Sequence, residues 1–169
     1  ASALISPRAV ASVAATSSAP LQLNVTAENL EAARGAYCRN ADFSGVNTAI
    51  YVAPNGSDSA SCGRTTALPC ASIHQGIDNC TQLGCGVLVR YGLYKTTATI
   101  SLKDGVSIFG SCSFNGVPDE NSAAARYRTV IEASPAPGSP ALNGDGINRP
   151  TQVSGLVIVG KDETAVGVA

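Results

Sequence analysis

Ten charged side chains in the second half of this 169-residue chain are the candidates for catalysis. The candidate acids are Asp104, Glu132, Asp145, Asp162 and Glu163, and the candidate bases or charge-stabilising groups are Arg90, Lys103, Arg128, Arg149 and Lys161. Carboxylate-based hydrolysis and calcium-assisted elimination both require such groups to converge. Only Glu132 directly follows an apolar strand pattern, and no second carboxylate recurs at its position one turn of the pattern away. We therefore predict no catalytic residue in this chain.

Two further motifs raise the question of acid–base chemistry and of metal binding. His74 is the only histidine, and because a catalytic or ligating role would require a partner, we expect a surface position on a helix. The loop Asn143-Gly144-Asp145-Gly146 contains oxygen ligands that calcium prefers, but it lacks the further alternating oxygens and the distal acid of a known calcium loop. A solvated turn is the better interpretation, and we predict neither a metal nor another cofactor.

The six cysteines favour disulfide bonds over a metal site. They stand at positions 38, 62, 70, 80, 85 and 112, without a Cys-x-x-Cys pair or another familiar zinc spacing. Of the fifteen conceivable pairings, we favour Cys62 with Cys70 and Cys80 with Cys85, which leaves Cys38 for Cys112. Closing the small loop between Cys62 and Cys70 would stabilise the fold by roughly 2 to 3 kcal/mol. Paired cysteines predict a secreted or cell-surface protein.

Composition and charge argue against several classes of partner. Hydrophobic residues make up 44% of the chain, which is enough for the core of one domain. The 11 basic and 12 acidic residues nearly cancel, and the basic residues do not cluster, so nucleic acid and anionic membrane are not expected as partners. No run approaches the roughly 18 apolar residues of a membrane span, and residues 1–20 lack the pattern of a signal peptide. Sequons at Asn24, Asn55 and Asn79 often arise by chance and decide nothing.

Short apolar or alternating runs, cut off by glycine or Asp-Gly turns, recur along the chain. They are rich in β-branched residues and predict strands that are too short to cross a large sheet. The runs cover residues 87–89, 98–102, 106–109, 129–131 and 156–160. From Val89 to Ile108, on to Ile131 and on to Ile158, the steps are 19, 23 and 27 residues. A period in the low twenties that absorbs loop insertions is typical of a solenoid in which one coil lies on the next.

The segment before these runs predicts a leader followed by a capping helix. Residues 1–23 are rich in Ala, Ser and Pro, and we interpret them as a flexible leader or linker, or else as a short strand packed through Leu21 and Leu23. Residues 26–38 favour a helix with acidic residues in its first turns. Such a helix would cover the open backbone edges at the start of the solenoid.

A strand and a second helix are predicted next. Thr48–Val52 is the strand, and the turn Pro54-Asn55-Gly56-Ser57 ends it. Within residues 70–80, apolar side chains recur at helical spacing. This short helix would start at Ser72 or Pro69 and stop at Gly84.

Two long polar segments interrupt the strand pattern downstream. Residues 117–128 are a polar excursion with one helical turn expected near its end. Residues 134–150 contain four prolines, and because proline cannot donate to a ladder, we predict that this segment bulges from the stack as a loop. Residues 164–169 form a further strand pattern, and we expect the chain to be the first part of a longer protein.

The order of these motifs resembles a known family. The turn Pro-Asn-Gly-Ser-Asp, the helix Pro-Cys-x-Ser-Ile-x-x-Gly-Ile, then Gly-Val-Leu-Val with Gly-x-Tyr, Gly-Val-Ser-Ile-x-Gly, Thr-Val-Ile and Gly-Leu-Val-Ile are similar to the N-terminal region of pectin-lyase-like proteins, over about residues 48–159. The resemblance implies a mainly β fold, a right-handed parallel β-helix of about four coils with N-terminal capping helices, over residues 24–169.

Two functions are compatible with this resemblance. The first is a non-catalytic N-terminal segment of a cell-surface or secreted protein, such as a bacterial adhesin or passenger-type stalk in the outer membrane. It would seal the solenoid and present the corner loops 117–128 and 134–150 to a carbohydrate or a surface protein. The alternative is the N-terminal part of a secreted polysaccharide lyase or hydrolase whose catalytic coils lie beyond residue 169. Self-association through the uncapped last coil is a further expectation.

Overall fold

The computed structural model describes residues 37–38, 41–114 and 128–160. The secondary-structure elements are β1 (Tyr37–Cys38), β2 (Thr48–Val52), α1 (Ile73–Asn79), β3 (Cys85–Arg90), β4 (Gly92–Thr96), β5 (Ile100–Ser101), β6 (Val106–Ser113), β7 (Thr129–Ala133), β8 (Leu142–Asn143), β9 (Val153–Ser154) and β10 (Leu156–Gly160). The fold of this part of the chain is mainly β. Among the same residues, no helix has the length and apolar character needed to cross a membrane.

The strands form three sheets that the chain visits in a repeating order. In sheet A the order is β1-β6-β3-β2, with β9 also paired to β6; sheet B is β10-β7-β4, and sheet C is β5-β8. The consecutive strands β3, β4 and β5 pair in parallel with β6, β7 and β8, one for one, and β9 and β10 continue on β6 and β7. Only the two-residue strand β1 is antiparallel to its partner, β6, among the described pairs.

Of the expected steps of 19, 23 and 27 residues, the middle one is wrong, because it joins strands of different sheets. The first step joins β3 to β6 within sheet A, and the last joins β7 to β10 within sheet B. Ile108 lies in sheet A and pairs with Val87 on one side and Val153 on the other. Ile131 lies in sheet B, between Tyr94 and Ile158. A short apolar run shows that a strand exists but not which sheet it joins, so two successive runs of one layer were counted as two layers.

The main core lies between the three sheets and α1. Side chains in register stack into ladders across the layers, such as Ile50, Val87 and Ile108 in sheet A. Tyr94 and Ile131 form the corresponding buried pair in sheet B. Alternate residues of each strand point to this interior, as the pleat requires. Small β-branched side chains therefore fill a narrow space in which few aromatic residues would fit.

A second core covers the outer face of sheet A. Phe43 and Phe109 lie with ring centroids 4.7 Å apart, and Tyr51 contacts Phe114 edge-on at 5.2 Å. The segment that carries Phe43 is tied down beside β6 by a disulfide between Cys38 and Cys112. Sheet A is consequently buried on both faces, which explains why β2 and β3 read as continuous apolar runs.

The start of the stack is covered by a disulfide-linked loop and by α1. The peptide N–H of Tyr51 donates to the carbonyl of Gly63 at 2.8 Å, and that of Cys70 donates to the carbonyl of Tyr51 at 2.9 Å, so the loop pairs with the edge of β2. Cys62 bonds to Cys70, and Cys80 to Cys85; with Cys38 and Cys112, these are the three pairs that the sequence favours. Three disulfides indicate folding in an oxidising environment.

The prediction of two helices is confirmed in part. Helix α1 is present, and the side chain of Ser72 caps it by accepting a hydrogen bond from the N–H of Gln75. It ends at Asn79, with Cys80 as its C-cap, and not at Gly84, which instead turns the chain into β3 with a φ of 71°. The helix predicted over residues 26–38 is wrong at its end, because Tyr37 and Cys38 form a strand. Its remainder, like the leader at residues 1–23, lies outside the described residues.

The predicted loop at residues 134–150 contributes a strand and does not simply bulge. Leu142 and Asn143 form β8, which pairs in parallel with Ile100 and Ser101 of β5. The four prolines stand on either side of β8, where they remove no ladder donor. The run at 98–102 is shorter than expected, with only Ile100–Ser101 as strand. Residues 115–127 and 161–169, with the predicted helical turn and last strand, lie outside the described ranges.

Candidate functional site

A cleft of about 200 Å³ opens between the beginning of α1 and strand β4. Pro54 and residues 71–74 form one wall, β4 forms the other, and the side chains of Ile100 and Ile131 lie at its floor. The elements that meet here are distant in sequence and are brought together because α1 packs on β2 and β3 of sheet A and on β5 of sheet C. This is the candidate functional site.

Strand β4 presents an unpaired backbone edge to this cleft. The N–H of Gly92 donates to the carbonyl of Arg128 at 3.0 Å, and the carbonyl of Thr96 accepts from Ser134 at 2.8 Å, so alternate residues of β4 face β7. In a parallel ladder the intervening residues direct their N–H and C=O groups to the opposite side. Leu93 and Lys95 therefore turn their peptide groups towards the cleft, and no described strand pairs with that side of β4.

Tyr94 is the buried aromatic residue beneath the cleft, at 7% exposure. Its hydroxyl lies 2.9 Å from the carbonyl oxygen of Arg90 and 3.3 Å from that of Val52, between which its proton is shared. Burial raises the pKa of Tyr94, although the positive charge of Arg90 opposes the rise. The phenol is consequently a neutral hydrogen-bond donor that joins β4 to β2, and it is unsuited to act as a base.

The sequence led us to expect His74 at a surface position on a helix. It does lie on α1, but in the wall of the cleft. The ring is half-buried, and its Nε2 donates to the carbonyl oxygen of Thr99 at 3.1 Å. This bond fastens α1 to the turn before β5. His74 therefore has a structural partner, and its second ring nitrogen is the one left for other contacts.

The outer face of sheet B carries two ladders of side chains beside the cleft. Leu93, Val130 and Val157 are in register and form an apolar ladder, in which Leu93 is 51% exposed. Lys95 and Glu132 are in register on the next ladder, with Nζ and Oε2 3.8 Å apart. Glu132 is therefore held next to a cation on the sheet surface, and no second described carboxylate lies with it in an ion-pair cluster.

The other candidate charges in the described ranges mostly hold loops in place. Asp104 accepts hydrogen bonds from the N–H groups of Asn148 and Arg149, at 2.9 and 2.7 Å. Lys103 donates to the carbonyl of Cys80 at 2.7 Å. Asp145 is exposed in the turn after β8, where its N–H donates to the side chain of Asn143. The contacts of Asp104 fix the loop at residues 134–150 against the turn before β6, and the contact of Lys103 fixes that turn against the end of α1.

The remaining charged residues considered in the sequence analysis have no such role in the described part of the chain. Arg90 stacks at 5.3 Å over the ring of Tyr91, and Arg128 is exposed. Asp162, Glu163 and Lys161 lie outside the described residues. The sequon asparagine Asn79 is half-buried and bonds to the carbonyls of Ser59 and Cys62, whereas Asn55 is exposed and Asn24 lies outside the described ranges.

One cluster in the described part of the chain has the composition of a metal site but not its chemistry. The ligand atoms of Asp58, Cys62 and Cys70 lie within 4.8 Å of one another. The two sulfur atoms are bonded to each other, so no thiolate is available to bind a metal. Asp58 accepts from the N–H groups of Ala71 and Ser72, at 2.8 and 2.9 Å. The carboxylate is a brace that holds the disulfide loop against the start of α1.

Comparison with known proteins assigns no family: no family model, curated protein or solved structure matches the chain. What the protein does must follow from its own residues. The sequence pointed to charged residues and missed β4, because Gly-Leu-Tyr-Lys-Thr contains no apolar run. The signal that could have found it is the match with β7, Thr-Val-Ile-Glu-Ala, in which two apolar residues at the second and third positions are likewise followed by a charged residue at the fourth.

Proposed function

We propose that this chain forms the N-terminal coils of a right-handed parallel β-helix, similar to the pectin-lyase-like superfamily, in a secreted or cell-surface protein. Its role is that of a rigid, non-catalytic scaffold of the adhesin or passenger type. It seals the start of the stack and holds corner loops in place for contact with a carbohydrate or a surface protein.

The one-for-one pairing of successive strands carries this proposal. Strands β3, β4 and β5 recur as β6, β7 and β8, each in register with its counterpart, and the order A, B, C is kept. A chain that repeats one layer on the next has room for loops at its corners, because insertions there cost little closure entropy. Recognition can then vary in the loops while the layers stay the same.

The corner loop at residues 134–150 has the properties of a presented binding loop. Besides β8 and Asp104, Thr99 holds it through a 2.7 Å bond from its hydroxyl to the carbonyl of Pro140. Residues 136–138 and 144–146 are nevertheless exposed. A loop that is fixed at its base and exposed at its tips loses little conformational entropy when it binds a partner.

A binding and degradation assay tests the proposal. The protein is incubated with polygalacturonate and with immobilised acidic and neutral polysaccharides, while product with unsaturated or reducing ends is monitored. We expect binding without product. Because residues at both tips are exposed, Pro137→Gln and Gly144→Gln, which add an uncharged side chain, should each weaken binding severalfold, whereas Ser61→Gln, exposed on the disulfide loop, should not.

Formation of product by this chain would overturn the scaffold role in favour of a polysaccharide lyase or hydrolase. Binding that resists both loop substitutions would overturn the assignment of the loop. The unfolding transition of each variant is compared with that of the parent, so that a loss of binding is not confused with a loss of fold.

A further inference from the structure

We propose that the open edge of β4 is a docking site for an extended peptide that carries an apolar and an acidic residue two positions apart. The peptide would add a strand to sheet B, next to Leu93 and Lys95. This inference goes beyond the scaffold role and does not depend on the handedness of the stack, because it concerns the edge of one sheet.

The backbone groups at this edge select for an extended main chain. The peptide groups of Leu93 and Lys95 face the cleft, and each residue offers one donor and one acceptor there. A chain in β conformation offers acceptors and donors at the same spacing, which is the basis of strand addition. Pro54 packs against Gly92, so the edge is closed at that end and free from Leu93 onwards.

The edges of sheets A and C on the same side of the stack are covered. In sheet A, the loop at residues 62–70 pairs with β2. At sheet C, His74 reaches from α1 to the carbonyl of Thr99, directly before β5. The edge of β4 is left beside a cleft of about 200 Å³, and exposed pairing groups of this kind attract a further strand.

The side chains of β4 define which peptide fits. On its paired side, β7 places Val130 beside Leu93 and Glu132 beside Lys95. The side chain of Lys95 is 73% exposed, and its Nζ lies 3.8 Å from Oε2 of Glu132, a long ion pair. A carboxylate of the peptide on the other side of Lys95 would therefore complement its positive charge. The intervening residue of the peptide must be small, because it points into the cleft above Ile73 and Ile131.

The charges around the cleft support an acidic partner. Lys95 lines it. On the helix side, the carboxylate of Asp58 already accepts two hydrogen bonds from the N–H groups of Ala71 and Ser72, and Asp78 of α1 is exposed. Glu132 is the other neighbour, and Lys95 stands between it and the edge.

The test uses acetyl-Thr-Val-Ala-Glu-Ala-amide and its counterpart with Lys in place of Glu, titrated into the isotope-labelled protein. Amide hydrogen exchange and chemical shifts are followed by NMR. We expect the glutamate peptide to slow exchange at the amides of Leu93 and Lys95, while those of Tyr94 and Thr96, which face β7, are already protected. The lysine peptide should bind about twofold to fivefold more weakly, and Lys95→Glu should reverse that preference.

Two variants at position 93 distinguish the contribution of the backbone N–H to peptide binding from that of the side chain. Leu93→Pro removes an edge donor that β7 does not use, and proline is tolerated where the N–H faces away from the partner strand. It should weaken binding by about threefold to tenfold relative to Leu93→Ala, which keeps the donor. Continued protection of Tyr94 and Thr96 shows that β4 is intact in both variants. If Leu93→Pro disrupts β4, the charge reversal at Lys95 decides instead.

Three outcomes would overturn the proposal. The first is the absence of peptide-induced protection at Leu93 and Lys95. The second is protection of these amides in the free protein at every concentration, which would mean that another segment of this chain covers the edge. The third is protection that rises with protein concentration, which would identify a second copy as the occupant.

Discussion

At the scale of single residues, Thr129 holds two layers of the stack together. It is the fully buried polar residue of the described core, at 0% exposure. Its hydroxyl accepts from the N–H of Ser111 at 2.7 Å and donates towards the carbonyl of Arg90 at 3.0 Å. Ser111 has a φ of 57°, an unusual value for a residue other than glycine, and it lies in β6 where the register with β3 shifts, so this irregularity of the strand needs such support.

Replacing the hydroxyl of Thr129 by a methyl group should therefore destabilise the fold. Thr129→Val keeps the shape but leaves the half-buried N–H of Ser111 and carbonyl of Arg90 without this partner. We expect a loss of about 1 to 3 kcal/mol in the free energy of unfolding, measured by urea denaturation. Thr129→Ser keeps the hydroxyl and should lose less. Equal losses in the two variants would contradict the role of the hydroxyl.

Asp58 should make part of the stability depend on pH. Burial raises the pKa of its carboxyl, but hydrogen bonds from Ser72 and Ala71 and the nearby His74 outweigh it, and the pKa in the folded state lies below the usual value. A lowered pKa contributes stability at pH values above the unfolded pKa of about 4, and this is lost as the pH falls through the folded pKa. Asp58→Asn should be less stable than the parent at pH 7, and the difference should shrink below about pH 4. A difference that stays constant would refute this effect.

At the scale of elements, α1 is positioned by a close contact and not by helix propensity. A Cβ at Gly76 would lie 2.6 Å from Cγ2 of Val52 and 3.0 Å from Cγ1 of Val87, both in the main core. The absence of a side chain lets the helix pack directly on β2 and β3. The same packing sets the width of the cleft between α1 and β4.

Gly76→Ala should consequently destabilise the protein although alanine favours helices. The propensity gain of about 1 kcal/mol is opposed by overpacking of a buried contact, which typically costs about 1 to 3 kcal/mol. Asp78→Ala, on the exposed side of the same helix, should change stability by no more than about 0.5 kcal/mol. Thermal and urea unfolding measure both variants. A gain in stability for Gly76→Ala would show that α1 can move away from the sheet.

At the scale of the whole molecule, one disulfide lies within the second core and closes the longest stretch of chain. Cys38 and Cys112 are separated by 74 residues, whereas Cys62 and Cys70 are separated by 8. The first bond ties the segment that carries Phe43 to the outer face of sheet A, and the second closes only the loop on β2. In the loop-entropy model, the longer closure constrains the unfolded chain more.

Removing the Cys38–Cys112 bond should therefore cost more than removing the Cys62–Cys70 bond. We expect losses of about 4 and about 2.5 kcal/mol, respectively, in double Cys→Ala variants. The free energy of unfolding in urea measures both, with the parent in its oxidised state as reference. The reverse order would mean that local packing around Cys62 and Cys70, and not loop closure, dominates.

Much of the local structure was predictable from the sequence. Apolar runs predicted β2, β3, β6, β7 and β10, the spacing of Ile73 and Ile77 predicted α1, and turn residues marked where strands end. These features depend on neighbouring residues, whose side chains decide between helix and strand through their own spacing. The cysteine pairs that the sequence favours also join segments that such local structure brings together.

The tertiary structure alone decided which strands share a sheet and which surface is left open. Ile108 and Ile131 look alike in sequence, yet they belong to different sheets, because the partners of a strand are chosen by packing over distances of 20 residues or more. Strand β4 has no apolar run, and it forms because β7 lies beside it. Its edge lies open beside α1 because no described strand pairs there, and no local pattern can encode the gap between two elements that meet only in the folded state.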